Sequence, residues 1–214
     1  MTHESRTYTT ARAFCGHHAQ PGVTQVPGAL DWSQQETTPD QACIEAVLET
    51  VLLPGASILH VGVGNSQFAH RFAARASRID GLTLHPNEQT HAATLALPQY
   101  TVYLLNKYSP AFRAVLPHRY AWIIDTNPAH FACCHHHFWL MWANYLRALS
   151  PQGQIVTCQR GMNAYQADCG WTMTYGDLLR LEERFPVQVA PLTDGVYGIQ
   201  PRDTAPVRRR RVAA

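Results

Sequence analysis

The stretch SILHVGVGNSQFAHRF, residues 57–72, decides how this chain is read. Ile58 to Val61 is a short, apolar run with the length of a buried strand, Gly62-Val63-Gly64 follows as a turn, and Phe68 to Ala76 has the spacing of a helix. A strand feeding a glycine turn and then a helix brings backbone N–H groups and a positive dipole end to one spot, with little side-chain bulk in the way. The same glycines also serve a purely structural turn. A dinucleotide-binding loop asks for a third glycine and for an acid about 20 residues on. Asn65, Ser66 and Gln67 stand where that glycine would be, and Asp80 precedes the expected second strand instead of ending it.

Working outward, Thr38-Pro39-Asp40-Gln41 predicts a helix start, with Thr38 as N-cap, Pro39 at the first helical position and Gln41 placed for a capping box. Ile44, Val47, Leu48, Val51 and Leu52 keep helical spacing until Pro54-Gly55. Beyond the glycine turn, Gly81–Leu84 reads as a short strand ending at His85-Pro86, Asn87–Leu97 as a helix, Tyr100–Leu105 as a strand and Tyr120–Ile124 as a buried strand ending at Asp125. An aromatic helix over about 130–148, a turn at Ser150-Pro151-Gln152-Gly153 and a strand Gln154–Cys158 come next. Thr174–Phe185 reads as a helix opened by Thr174 with Asp177 three residues on, and Val187–Ala190 and Val196–Ile199 close the chain as strands.

Strands alternating with helices at this spacing mean βαβ units, and so an α/β protein with a mostly parallel sheet covered on both faces. Ligands of such sheets bind outside the carboxyl ends of the strands. That rule gathers residues 62–66, 83–85, 106–108 and 125–131 around one crevice.

The chain has 214 residues, enough for one sizeable core, with 46% hydrophobic and 15% charged residues, as in ordinary globular proteins. Three regions are expected: an irregular N-terminal arm over 1–36 that can serve as a lid, one α/β domain over 37–201, and a basic tail over 202–214. No apolar run approaches the roughly 20 residues of a membrane span, and the polar N-terminus has no apolar core of a signal peptide behind it, so a cytoplasmic protein is expected. The six cysteines are irregularly spaced and read as free thiols. The formal charge is +2, and Arg208–Arg211 read as a solvated tail, so nucleic-acid binding is not expected; a homodimer stays open.

The succession "ILHVGVGNSQFA", "IDGLTLHPNEQ", "YAWIIDTNPAHF", "LSPQGQIVTC", then a helix and a final strand pair, resembles the class I S-adenosylmethionine-dependent methyltransferases over about residues 38–200. The resemblance implies a Rossmann-like, seven-stranded, mostly parallel sheet with helices on both faces, and S-adenosylmethionine as cofactor. It places Gly62, Val63, Gly64 and Asn65, with Ser66 beside them, against the methionine part of that cofactor. "LSPQGQIV" is similar to the family's L-x-P-G-G turn, with Gln152 replacing one glycine. Two departures stand out. The family usually ends its second strand on an acid that holds the ribose hydroxyls, and here Thr83, Leu84 and His85 occupy that place; Asn106 stands for the frequent acid near the adenine.

"DTNPAHF", residues 125–131, resembles the Asn-Pro-Pro-aromatic loop of amino-group methyltransferases, in which an Asn side chain and a Pro carbonyl hold the target nitrogen. Asn127 and Pro128 match; Ala129 and His130 do not. A Pro-directed turn with Asp125 capping a helix is the structural alternative. Because a sulfonium is already a good leaving group, rate comes from alignment and water exclusion, and a base is needed only if the nucleophile arrives protonated. Asn127, Asp125 and His130 are therefore catalytic candidates, with His85 a further base and Asp125 also a ligand for the cofactor amine. Phe131, Trp139, Tyr165, Trp171 and Tyr175 are candidates to wall a sulfonium by cation–π contact, Tyr175 being the one placed among the catalytic residues. His130, Cys134 and His137 share one helical face, but no CxxC or HExxH accompanies them and no metal is expected.

The activity these features imply is methyl transfer to a small molecule, in a biosynthetic role of specialised metabolism. Two alternatives remain at this stage. One is consumption of the cofactor by aminocarboxypropyl transfer or by cyclisation to azetidine-2-carboxylate with release of methylthioadenosine; the other is a non-catalytic ligand-binding member of the fold.

Overall fold

In the computed structural model of the protein, residues 31–130, 132, 135–163 and 172–202 are described. The described elements run α1 (Pro39–Val51), β1 (Ala56–Val61), α2 (Gln67–Phe72), β2 (Ala76–Thr83), α3 (Pro86–Thr94), β3 (Tyr100–Leu104), α4 (Phe112–Val115) and β4 (Tyr120–Asp125). They continue with α5 (His135–Ala148), β5 (Leu149–Cys158), α6 (Gln159–Asn163), α7 (Tyr175–Leu179), α8 (Leu181–Arg184), β6 (Val187–Thr193) and β7 (Val196–Pro201).

The strands form one seven-stranded sheet in the order β3-β2-β1-β4-β5-β7-β6. β1 pairs in parallel with β2 and β4, as do β2 with β3 and β4 with β5; β7 runs antiparallel to both β5 and β6. Successive strand residues point to opposite faces, and both faces are buried. On one, Ile58, Ile79, Ile124 and Val156 join Ile44 and Leu48 of α1 and Phe68 and Phe72 of α2. On the other, Leu59, Ile123, Ile155 and Ile199 join Met141, Trp142 and Tyr145 of α5 with Leu178 and Leu181 of α7 and α8. Each such side chain contributes about 1.5–3 kcal/mol by leaving water, which explains why the parallel strands read as apolar runs.

Register sets the site. Val61 pairs with Leu82 and with Asp125, and Thr83 with Leu104, so the carboxyl ends of four strands finish at one edge. The residues that follow, Gly62, Leu84, Leu105 and Thr126, open the loops above it.

Several boundaries differ from the sequence reading. β2 begins at Ala76, five residues early, so Asp80 lies inside the strand, fully buried, taking bonds from Arg78 Nε at 2.7 Å and the Tyr120 hydroxyl at 2.6 Å. The turn expected over 150–153 is absorbed into a ten-residue β5, where the pairing with β4 shifts register. α5 starts at His135, and the helix expected over 174–185 is two short helices. At its start the expected capping box does form, with Thr174 Oγ1 accepting from Asp177 N–H at 3.2 Å and Asp177 Oδ2 accepting from Thr174 N–H at 2.9 Å. At α1 it does not. Thr38 makes no side-chain cap bond, and Gln41 turns inward instead.

Candidate functional site

A cavity of about 380 Å³ lies over the carboxyl ends of β1–β4, a size usual for small-molecule sites. It is lined by the strap 32–38 except residues 33–35, by Asp40 and Gln41 of α1, the end of β1 and its glycine turn, residues 82–85, Glu88, residues 105–108, and Thr126, Asn127 and His130.

The glycine turn forms as the sequence suggests, with positive φ at Gly62 (80°), Gly64 (50°) and Ser66 (58°). A Cβ at Gly62 would project into open space, so this residue is needed for its backbone angle and leaves the cavity clear. Two of the turn's amide donors are engaged within the protein: Gly62 N–H and Val63 N–H both donate to the Leu82 carbonyl, at 2.9 and 3.2 Å. Val63 packs with Ala92 and Val102. Ser66 is fully buried and pairs with the Tyr100 hydroxyl at 2.9 Å, away from the cavity, which corrects its expected role. Asn65 lines the cavity while holding the strap, donating to the Gln35 carbonyl at 2.8 Å.

At the end of β2, Thr83 does not offer a free hydroxyl. It donates to Glu88, and its oxygen accepts from His85 N–H at 2.9 Å. Glu88, in the first turn of α3, thereby brings a buried carboxylate to the corner where the strand itself ends without an acid. Its other oxygen accepts from Trp32 N–H at 3.0 Å, and burial pushes its pKa up from the usual carboxylate range. Sequence reasoning missed Glu88 because it looked at the strand end; the signal available was an acid two residues beyond Pro86, in the first turn of the helix. His85 lines the cavity and accepts from Asn87 N–H at 3.3 Å. Leu84 and Asn106 line it as well, Asn106 Oδ1 accepting from Tyr108 N–H at 2.9 Å.

On the β4 side the expectations change most. Asp125 is buried and does not line the cavity: it accepts two bonds from Lys107 Nζ, at 3.1 and 3.0 Å, and one from the Tyr145 hydroxyl at 2.8 Å. It is thus neither a free base nor a ligand for an amine. The cause is Lys107, which burial depresses and the Asp125 charge holds up. The Pro128 carbonyl accepts from the Tyr108 hydroxyl at 2.7 Å instead of facing a substrate. Asn127 and His130 both line the cavity, Asn127 Nδ2 lying 3.2 Å from His130 Nδ1. Since an amide nitrogen only donates, Nδ1 accepts there and the proton of the neutral ring stands on Nε2.

Tyr175 lies outside the cavity lining formed by the described residues and stacks on Tyr197 with ring centroids 4.6 Å apart. Trp139 packs on Phe185 and under Arg184. Among the described residues, Trp32, Phe68 and Tyr108 line the cavity. Phe131, Tyr165 and Trp171, with Cys133 and Cys134, lie outside the described residues. Sequence reading also missed Gln41, His60 and Thr126, which form one polar cluster: Thr126 Oγ1 donates to Gln41 Oε1 at 2.9 Å, and His60 Nε2 lies 3.4 Å from the same oxygen.

No family model matches this sequence, and no curated protein aligns with it. Solved structures do. The chain is similar to the N-methyltransferase NodS from Bradyrhizobium japonicum in complex with S-adenosyl-L-homocysteine, at 12% identity and TM-score 0.55 over 91% of this chain and 96% of that one. It is also similar to the sugar N-methyltransferase KedS8 from a Streptoalloteichus species, at 15% identity and TM-score 0.56 over 77% and 87%. A third is the [4+2]-cyclase SpnF, at 20% identity and TM-score 0.54 over 70% and 57%. This is the class I S-adenosylmethionine-dependent methyltransferase fold. In that fold the glycine turn, the Glu88 corner and the Asn127 loop stand at adjacent strand ends, facing one cavity. Among the described residues no helix is long and apolar enough to cross a membrane.

Proposed function

We propose that the chain is an S-adenosylmethionine-dependent transferase that methylates a small molecule. The observation that carries this reading is Glu88, a buried carboxylate delivered to the end of β2 beside a cavity that the glycine turn leaves clear. Such a carboxylate accepts both hydroxyl protons of a ribose. The rest of the lining fits the same ligand: Asn106 suits an adenine edge, and the partly exposed Trp32 is an aromatic side chain at the cavity. Glu36 and Asp40 give the cavity a negative lining suited to a cation.

When bound, the cofactor supplies a methyl carbon on a good leaving group. What this chain's residues contribute is position. Asn127 and His130, joined by their hydrogen bond, present polar edges to the cavity near the reacting end. The Asn127 carbonyl is anchored by Lys107 at 2.9 Å, so an acceptor held against this loop meets a fixed surface. The strap over residues 31–38, tied to Glu88 and Asn65, limits access of water.

The carboxylate at Glu88 also argues against cyclisation, since a ribose held there keeps the cofactor extended instead of refolded on itself. The test is incubation with S-adenosylmethionine, with and without candidate acceptors, read by mass spectrometry. S-Adenosylhomocysteine formed only with an acceptor supports methyl transfer. Methylthioadenosine formed without one replaces it by cyclisation, and binding without turnover by a ligand-binding role.

A further inference from the structure

We propose that Asp31 is a positioning residue for the nucleoside: through the bend it fixes in the strap, it sets the Trp32 N–H against Glu88 and so aims that carboxylate at the ribose. The inference rests on the reading of Glu88 above and deepens it, since it makes a segment 56 positions upstream part of the same site.

The need for such a residue follows from where Glu88 stands. It lies in the first turn of α3 and not at a strand end, so three side-chain torsions separate its carboxylate from the backbone. Two donors hold it, the Thr83 hydroxyl on Oε2 and the Trp32 N–H on Oε1, the latter at 3.0 Å. Each carboxylate oxygen has two acceptor positions, so these bonds leave one on each for a ligand, the number that the two hydroxyls of a ribose use. A side chain held in this way before binding needs no ordering when the ligand arrives.

Thr83 is placed by β2, whereas Trp32 belongs to the strap, and Asp31 docks it. Asp31 Oδ1 accepts from Ser33 N–H at 3.0 Å, which bends the chain around Trp32. Asp31 Oδ2 accepts from Asn87 Nδ2 at 2.7 Å, which ties that bend to α3 one residue before Glu88. The bond from Asn87, and then those from Ser33, pull the Asp31 pKa down to about 2, so the residue is ionised around neutral pH. His85 Nδ1 lies 4.0 Å from its Oδ1. The Trp32 carbonyl closes the bend by accepting from Gln35 N–H at 3.0 Å, and the bend rests on the glycine turn, where a Cβ at Gly64 would meet Trp32 Cβ at 3.5 Å. Asp31 does not itself line the cavity, so it acts through Trp32 and Glu88.

The test is the calorimetric affinity of the full chain for S-adenosylhomocysteine. Asp31→Ala is expected to lose about three- to tenfold; an unchanged affinity overturns the inference. Glu88→Ala is expected to lose roughly tenfold or more, and Asp31→Ala added to it to cost nothing further, because the two act as one unit. A further loss as large as in wild type shows a merely structural role and overturns the inference. Exchange of the Asp31 and Asn87 side chains is the second arm. Asp31→Asn alone loses one of its two bonds whichever way the amide turns, and Asn87→Asp alone sets two carboxylates together, so each lowers affinity. Combined, they restore a donor facing an acceptor and recover most of the loss; no recovery overturns the inference. If a thermal melt shows that Asp31→Ala does not fold, the exchange decides. Wild type that does not bind, or Glu88→Ala that binds as wild type does, overturns the reading of Glu88 and this inference with it. A loss at Glu88 with none at Asp31 overturns this inference alone.

Discussion

Lys107 Nζ lies 3.1 and 3.0 Å from the two carboxylate oxygens of Asp125, and both residues are buried. The pair ties the loop after β3 to the end of β4, and through the Asn127 carbonyl Lys107 also holds the loop that lines the cavity after β4. A residue that looked like a free acid is thus part of the frame. Removing one partner leaves a buried charge uncompensated. Lys107→Met is expected to cost about 3–5 kcal/mol of stability in urea denaturation, and Lys107→Met with Asp125→Leu substantially less than the sum of the single changes.

Glu88 is expected to govern nucleoside affinity more than folding. Glu88→Gln keeps the shape and a donor–acceptor amide but loses the charge, and S-adenosylhomocysteine affinity measured by calorimetry falls roughly tenfold or more. An unchanged affinity would remove Glu88 from the site.

Two glycines separate backbone strain from crowding. Gly62→Ala meets open space but must hold φ at 80°, and is expected to cost about 1–2 kcal/mol in a thermal or urea melt. At Gly161 of α6, a Cβ would sit 2.3 Å from the Thr126 carbonyl oxygen. Gly161→Ala must push the β4 loop aside, so it is expected to weaken ligand binding as well as stability.

His60 makes stability pH-dependent in a defined window. Its ordinary value is 6.5 and its folded value is about 3, so between these the unfolded chain takes up a proton that the folded chain refuses. Stability is fully present above pH 6.5 and falls, by up to about 1.4 kcal/mol per pH unit from this residue, as pH drops toward 3. Glu88 acts in the opposite sense, since burial raises its value and its protonation favours the fold as pH falls. Urea melts over pH 4–7 check the balance, and His60→Leu is expected to flatten the profile.

Asn127→Ala is expected to lower turnover of S-adenosylmethionine with its acceptor far more than cofactor affinity. Its side chain faces His130 in the cavity and takes no part in the Lys107 anchor, which uses the backbone carbonyl. Equal losses in both quantities would place Asn127 in cofactor binding instead.

Local pattern alone determined that this is an α/β chain with a glycine turn after its first strand, because apolar runs, turn residues and caps act over a few positions and are written in sequence order. Ile58–Val61, Gly62–Gly64 and the Thr174–Asp177 cap were legible for that reason. Tertiary structure decided which polar groups remain available. Asp125 was given to Lys107, Ser66 to Tyr100 and the Pro128 carbonyl to Tyr108, while Glu88, Gln41 and His60 were brought to the cavity from a helix turn, a helix start and a strand. A side chain's chemistry depends on which partner reaches it and how much water is left, and those are set by strands and loops that the register of the sheet brings together from 18 to 85 positions apart, as with Lys107 and Asp125 or Gln41 and Thr126.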